Sequence, residues 1–104
     1  MTPLPNHRPK QRSLGPLESE ILTILWDLGS ATVKEIHACI LADPDRELAY
    51  ASVTTVLQRL AQKGWVSSRK TERSFIWQPL ISQQEAQTLR AFDQLQQFLS
   101  VSNP

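Results

Sequence analysis

Residues 48–80 read LAYASVTTVLQRLAQKGWVSSRKTERSFIWQPL, and they constrain the fold most because the apolar period changes partway along. Val53, Val56, Leu57 and Leu60 recur at i, i+3, i+4 and i+7, the spacing that places side chains on one helical face. Gly64 then stops the helix as a C-terminal glycine does. Two runs rich in aromatic and branched residues follow, 65–69 and 74–78, separated by Lys70, Thr71, Glu72 and Arg73. They predict a β-hairpin with a cationic tip, and Pro79, which cannot donate to a ladder, ends its second strand. Opposite the apolar stripe the helix keeps Ser52, Thr54, Thr55, Gln58 and Arg59. Such a face offers hydrogen bonds and one cation to base edges and phosphates, with no acidic group to repel a duplex. The same pattern also suits a plain solvated helix surface, so it leaves both readings open.

Charge distribution favours the first. The formal net charge is only +1, yet residues 49–80 carry five basic and one acidic side chain, and residues 1–15 carry three basic and none acidic. Residues 16–48 reverse this with two basic and seven acidic, and residues 81–104 carry one and two. A local positive patch is therefore expected where the chain average shows none. The length of 104 residues fits one small domain, at a size where dimerisation often supplies extra burial. A single cysteine, Cys39, excludes a disulfide framework or thiolate cluster built within the chain and fits a reducing cytosol. No apolar run approaches the roughly 20 residues that cross a bilayer, and no signal-peptide pattern is present, so a soluble cytoplasmic protein is expected.

Residues 1–13, with three prolines and no acidic residue, predict a disordered or extended basic arm. Its Arg8, Lys10 and Arg12 suit either a phosphate backbone or plain solvent. A first helix should open near Pro16, with Glu18 and Glu20 at the positive end of its dipole, bury Ile21, Leu22, Leu25, Trp26 and Leu28, and end at Gly29. Residues 30–33 read as a short extended link able to pair with the hairpin, with Thr32 as N-cap of a second helix carrying Val33, Ile36, His37, Ile40 and Leu41. A polar loop follows around Pro44. Ser82 and Glu85 have capping-box spacing and open a last helix to about Ser100, leaving 101–104 as a tail. Along it Ala86, Leu89, Phe92, Leu95 and Leu99, with Phe98 beside them, form an apolar stripe. That stripe suits a partner helix, with Leu89, Phe92, Leu95 and Leu99 as dimerisation residues, or alternatively folds back on the first helix.

The expected fold is mainly α with a small β-hairpin: a winged helix-turn-helix over residues 14–80 followed by a C-terminal helix for dimerisation. This order meets specific text. Leu17 to Leu22 with Leu25 and Trp26, Val33 to Ile36, Thr55 to Leu60 with Lys63 and Gly64, Arg73 to Phe75, and Pro79 to Ser82 are spread over a stretch from Leu17 to about Glu85, about two thirds of the chain. In these segments the sequence resembles the penicillinase-repressor family of transcriptional regulators, the BlaI, MecI and CopY group. The resemblance implies a homodimeric winged-helix repressor on a dyad-symmetric operator, one recognition helix in each of two major grooves. Carried over by position, Ser52, Thr54, Thr55 and Gln58 would lie near bases, and Tyr50 and Arg59 would anchor the backbone. Arg69, Lys70 and Arg73 in the wing would meet phosphates or the minor groove, with Lys34 a further phosphate contact.

The chain also departs from the family pattern. Penicillinase repressors have more than one helix after the wing and a site there for a membrane sensor protease, whereas this sequence shows one. Copper-responsive relatives carry a cysteine-rich C-terminal metal motif, which these residues lack, so no metal or other cofactor is expected. Glu72 stands at the wing tip where many relatives have glycine. Trp65, Phe75 and Trp77 are expected to pack the wing onto the core, although aromatic side chains also stack on bases. Cys39 reads as a buried structural thiol, with an exposed redox sensor as the alternative. His7 and His37 join no catalytic constellation, so no enzyme and no small-molecule substrate is expected. A winged-helix module for protein contacts, without DNA binding, is the competing function.

Overall fold

The computed structural model describes residues 7–102, with side chains through residue 99. In chain order it contains α1 (Pro16–Leu28), α2 (Val33–Leu41), α3 (Tyr50–Lys63), β1 (Val66–Lys70), β2 (Phe75–Pro79) and α4 (Gln83–Ser102). The first three helices enclose a core of Ile21, Leu22, Leu25, Ile36, Ile40, Val53, Val56, Leu57 and Leu60, which Trp65, Val66 and Trp77 close from the hairpin side. Each such aliphatic side chain contributes about 1.5–3 kcal/mol on burial, so the period-3.6 stripes largely decide the arrangement.

Local chemistry sets the boundaries. Pro16 occupies the first turn of α1, and Glu18 Oε1 accepts the Gly15 N–H at 2.7 Å. Leu28, expected in the core, is exposed, because it is the last helical residue before Gly29 turns the chain toward the hairpin. The link pairs there: Ala31 and Trp77 exchange backbone hydrogen bonds of 2.9 and 2.8 Å. Thr32 and Glu35 form a reciprocal capping box on α2. Leu41, the last residue of α2, is also exposed. Cys39 is exposed, against the expectation of a buried thiol, because α2 turns Ile36 and Ile40 inward and residue 39 lies on another side of the helix. The following loop is held by a two-pronged pair in which Arg46 donates to both carboxylate oxygens of Glu20, at 2.7 and 2.9 Å.

At the end of α3, Gly64 has φ +88°, its N–H donates to Ala61 O, and Trp65 N–H donates to Leu60 O, a complete Schellman motif. In the antiparallel hairpin Val66 faces Pro79 and Lys70 faces Phe75, so each strand sits one residue later than the sequence suggested. The loop is residues 71–74. Thr71 closes it by donating its N–H and hydroxyl to Ser74 O and accepting the Ser74 N–H on Oγ1.

Ser82 Oγ accepts the Glu85 N–H at the start of α4. The apolar stripe of this helix then divides. Ala86 and Leu89 enter the core, Leu89 with 7% exposure, while Phe92 and Leu95 are 53% and 54% exposed. Leu89, expected in a dimer contact, is thus covered by its own domain. The first turns of α4 lie over α1, where Trp26 Nε1 donates to Ile81 O and Arg90 donates to Ser19 Oγ.

Residues 7–13, expected to be disordered or extended, are extended and docked; residues 1–6 of the arm lie outside the described residues. Lys10 and Gln11 N–H groups donate to Lys63 O, the Trp65 indole donates to Gln11 O, and Pro9 is buried. The C-terminal carbonyls of α3, which no longer have helical partners, supply the acceptors that hold the arm. Arg8 and Arg12 pair with Glu85 and Asp93 of α4 at 2.8 and 2.6 Å.

Candidate nucleic-acid interface

Helix α3 buries Val53, Val56, Leu57 and Leu60, and its remaining surface divides into two flanks. At ~100° per residue, Tyr50, Thr54 and Gln58 follow one line along the helix and Ser52, Thr55 and Arg59 another. The first line forms one wall of a cleft of about 750 Å³ between α3, the first turn of α2 and the hairpin. Lys34 comes from α2 and Thr32 is its N-cap, and Ser68, Arg73, Ser74, Phe75 and Trp77 come from the hairpin. Two cations and the positive end of the α2 dipole therefore border an open, aromatic-walled channel. The second line borders a shallower groove of about 300 Å³ with Ala51 and Val56.

Hairpin register sorts the remaining basic residues. Side chains alternate between faces, so Ser68 and Lys70 share a face with their partners Trp77 and Phe75, and Arg69 shares the other with Ile76. Lys70 therefore stands on the cleft face and Arg69 on the reverse face. Arg73, in the loop, lines the cleft directly. Of the ten residues picked from the sequence, the structure brings Lys34, Tyr50, Thr54, Gln58 and Arg73 around one opening and adds Lys70 to its wing face. Ser52, Thr55 and Arg59 gather on the other flank of α3, and Arg69 joins neither group.

Phe75 corrects the expectation that all three strand aromatics pack inward. Trp65 and Trp77 are buried, but Phe75 is 50% exposed, because it lies at the loop end of β2, opposite Lys70 and beyond the core. Ser68 and Ser74 line the cleft without having been singled out, and Thr32, expected only as an N-cap, lines it too. Ser68 becomes visible only once the register sets it opposite Trp77. Among described buried side-chain atoms, Trp77 Nε1 has no hydrogen-bond partner, although the residue lines the cleft. Thr55 Oγ1 donates to Ala51 O at 3.0 Å, which leaves its oxygen lone pairs facing outward as acceptors.

The base of the platform is electrostatic. Glu18 is buried, and Lys63 Nζ at the end of α3 donates to its Oε1 at 2.9 Å and to Ser13 O. Burial pushes the Glu18 carboxyl up, but the Gly15 N–H, Lys63 and, through space, Arg59 together hold it below the usual carboxylate value. Hydrogen bonding from Arg46 lowers Glu20 in the same way. Glu18 is thus neutralised on the side of α3, by Lys63 and Arg59, and Glu20 on the side of the α2–α3 loop, by Arg46. Among the described residues no group of three or more His, Cys, Asp or Glu side chains is placed to hold a metal ion, and no helix is long and apolar enough to cross a membrane.

Residues 14–104 match the family model described as penicillinase repressor. The chain belongs to the penicillinase-repressor family. A curated family relative, the transcriptional regulator BlaI of Mycobacterium tuberculosis, is 36% identical over 77 residues, which are 73% of this chain and 54% of the relative. The chain thus spans about half the length of the curated relatives it matches. Two solved structures share the winged-helix fold. The DNA-binding domain of the repressor BlaI superposes with a TM-score of 0.61 at 22% identity, covering 73% of this chain and 90% of that one. The CopR repressor superposes with a TM-score of 0.56 at 34% identity, covering 67% and 99%.

Proposed function

We propose that this member of the penicillinase-repressor family is a sequence-specific DNA-binding transcriptional repressor that acts as a homodimer on a dyad-symmetric operator. The observation that carries the reading is the convergence of Lys34, Tyr50, Thr54, Gln58 and Arg73 on one open cleft between α3 and the wing. Helix α3 enters the major groove. Its outward crest of Thr55 and Gln58 reads base edges, while Tyr50, Ser52, Thr54 and Arg59 flank that crest. Lys34, Lys70 and Arg73 meet phosphates and give a salt-sensitive share of the affinity. Arg69, on the reverse face of the hairpin, contributes to the general field alone. The relatives named as a transcriptional regulator and as repressors support the same assignment. The partner is double-stranded DNA in the cytoplasm, and the function includes no catalytic step.

Dimerisation uses the outer half of α4. Phe92 and Leu95 are a helical turn apart, and both remain half exposed after the domain has covered Ala86 and Leu89. A second copy of the same helix would remove this apolar surface from water. Analytical ultracentrifugation of the purified protein, alone and with DNA from upstream of its own gene, at two salt concentrations, tests the whole reading. A dimer that shifts onto the DNA and loosens as salt rises is the expected result. A monomer that ignores both this DNA and a random duplex would instead favour a protein-interaction module.

A further inference from the structure

We propose that His37 is a positioning residue for the recognition helix, fixing the entry of α3 and the pose of Tyr50; the inference rests on the DNA-binding reading. The first turn of α3 needs such a support. Its N-cap is Ala49, which has no side-chain hydrogen bond to offer, in contrast to Thr32 and Ser82 at the starts of α2 and α4. His37 supplies an anchor from α2. Its Nε2 lies 2.7 Å from Leu48 O. A carbonyl oxygen only accepts, so Nε2 carries the proton and donates. Leu48 itself packs against the core, so the bond ties the chain to α2 two residues before α3 begins.

The same ring meets Tyr50 edge to face, with centroids 5.7 Å apart and planes at 79°. Tyr50 is exposed and lines the cleft with Thr54, Gln58 and Arg73. One side chain outside the cleft lining thus holds both the backbone that enters the helix and the first side chain of its cleft wall. Without it, Tyr50 is free to turn and the first turn of α3, including the Ser52 N–H bonded to Ala49 O, loses its lateral support.

The test is a double-mutant cycle of His37→Ala and Tyr50→Ala, read as affinity for a duplex selected by the wild-type protein from a random pool. Each single substitution is expected to weaken binding about tenfold, the loss of one hydrogen bond or aromatic contact. The double variant should be weakened by clearly less than the product of the two single losses, because the part of the His37 effect that acts through Tyr50 is already gone in Tyr50→Ala. His37→Gln, which keeps an N–H donor for Leu48 O, should recover part of the affinity, and amide exchange at Ser52 should quicken in His37→Ala and slow again in His37→Gln. A purely structural role would lower the unfolding midpoint of His37→Ala without coupling to Tyr50. Losses that multiply in the double variant, or full affinity in His37→Ala, would overturn the inference while leaving DNA binding in place. Absence of any duplex retained by the wild type would overturn the DNA-binding reading itself, and this inference with it.

Discussion

Lys63 Nζ donates to Glu18 Oε1 at 2.9 Å, joining the last residue of α3 to the first turn of α1 across 45 positions of sequence, with both side chains largely shielded from water. The bond fixes the end of α3 to the scaffold. It also leaves no unpaired carboxylate beside Arg59, whose charge helps hold Glu18 ionised. Replacing Lys63 by Met would strand that carboxylate in a buried site, at a cost of about 3 kcal/mol. Urea unfolding should show this loss, and Glu18→Gln in the same background should restore part of it.

The pair also sets a pH dependence. The folded Glu18 carboxyl is held below its ordinary value, as is that of Glu20, so the unfolded chain takes up these protons at the higher pH. Their stabilisation is therefore complete above the ordinary glutamate value of about 4.3 and is lost as pH falls through the depressed folded values. Unfolding free energy measured from neutral pH downward should drop in that acid window. Glu18→Gln should flatten the slope, and an unchanged slope would count against the pair as its source.

Gly64 is required twice over. Its φ of +88° is a left-handed conformation, and an added Cβ would meet Lys10 N at 3.1 Å and Pro9 Cα at 3.2 Å. Gly64→Ala should cost about 2 kcal/mol through left-handed strain and displacement of the arm. Amide exchange at Lys10 and Gln11 should quicken as well, since both donate to Lys63 O. Gly29→Ala, where nothing lies within 4 Å of the new Cβ, should leave those two amides as slow as before.

On the proposed dimer, helix α4 would separate folding from assembly along its length. Leu89→Ala should destabilise the monomer by about 2–3 kcal/mol, because the side chain is buried in its own domain. Phe92→Glu and Leu95→Glu should leave the unfolding midpoint nearly unchanged and convert a dimer to a monomer in sedimentation. A dimer that survives both substitutions would place the interface elsewhere.

Local chemistry was readable from the chain and long-range geometry was not. The helix starts at Pro16, Thr32 and Ser82, the stop at Gly64 and the apolar stripes of α1 to α3 follow from caps and period, which neighbouring residues determine. The link residue Ala31 even pairs with the hairpin as its extended pattern suggested. The hairpin slipped by one residue because its register depends on Thr71 closing the loop with its own hydroxyl, a choice that strand propensity does not encode. Glu18 looked like a simple helix-dipole residue, since nothing local marks a partner 45 positions away. The docking of the arm is not legible from its composition, which suits a disordered or extended segment, because residues 7–13 are held by the free carbonyls at the end of α3. The polar face of α3 was legible as a set. Its division into a cleft side and an outer side appeared only with the hairpin in place.

That division ranks the contacts. Arg73→Ala should weaken binding by a similar factor on a selected duplex and on random DNA and should lower the salt slope by about one unit. Arg69→Ala, on the reverse face, should have the smaller effect of the two. Thr55→Ala and Gln58→Ala should weaken the selected duplex more than random DNA. Equal losses on both substrates would remove those two residues from base reading.

The most direct measurement is amide-resolved NMR of the protein titrated with a duplex it has selected from a random pool, at physiological salt. Binding through the assigned surface should shift amides around Lys34, along residues 50–59 and through the wing from Lys70 to Phe75, leaving the buried face of α1 and the docked arm unmoved. Shifts confined to α1 or the arm, or no shift at all, would contradict the claim that α3 and the wing form a DNA-binding surface.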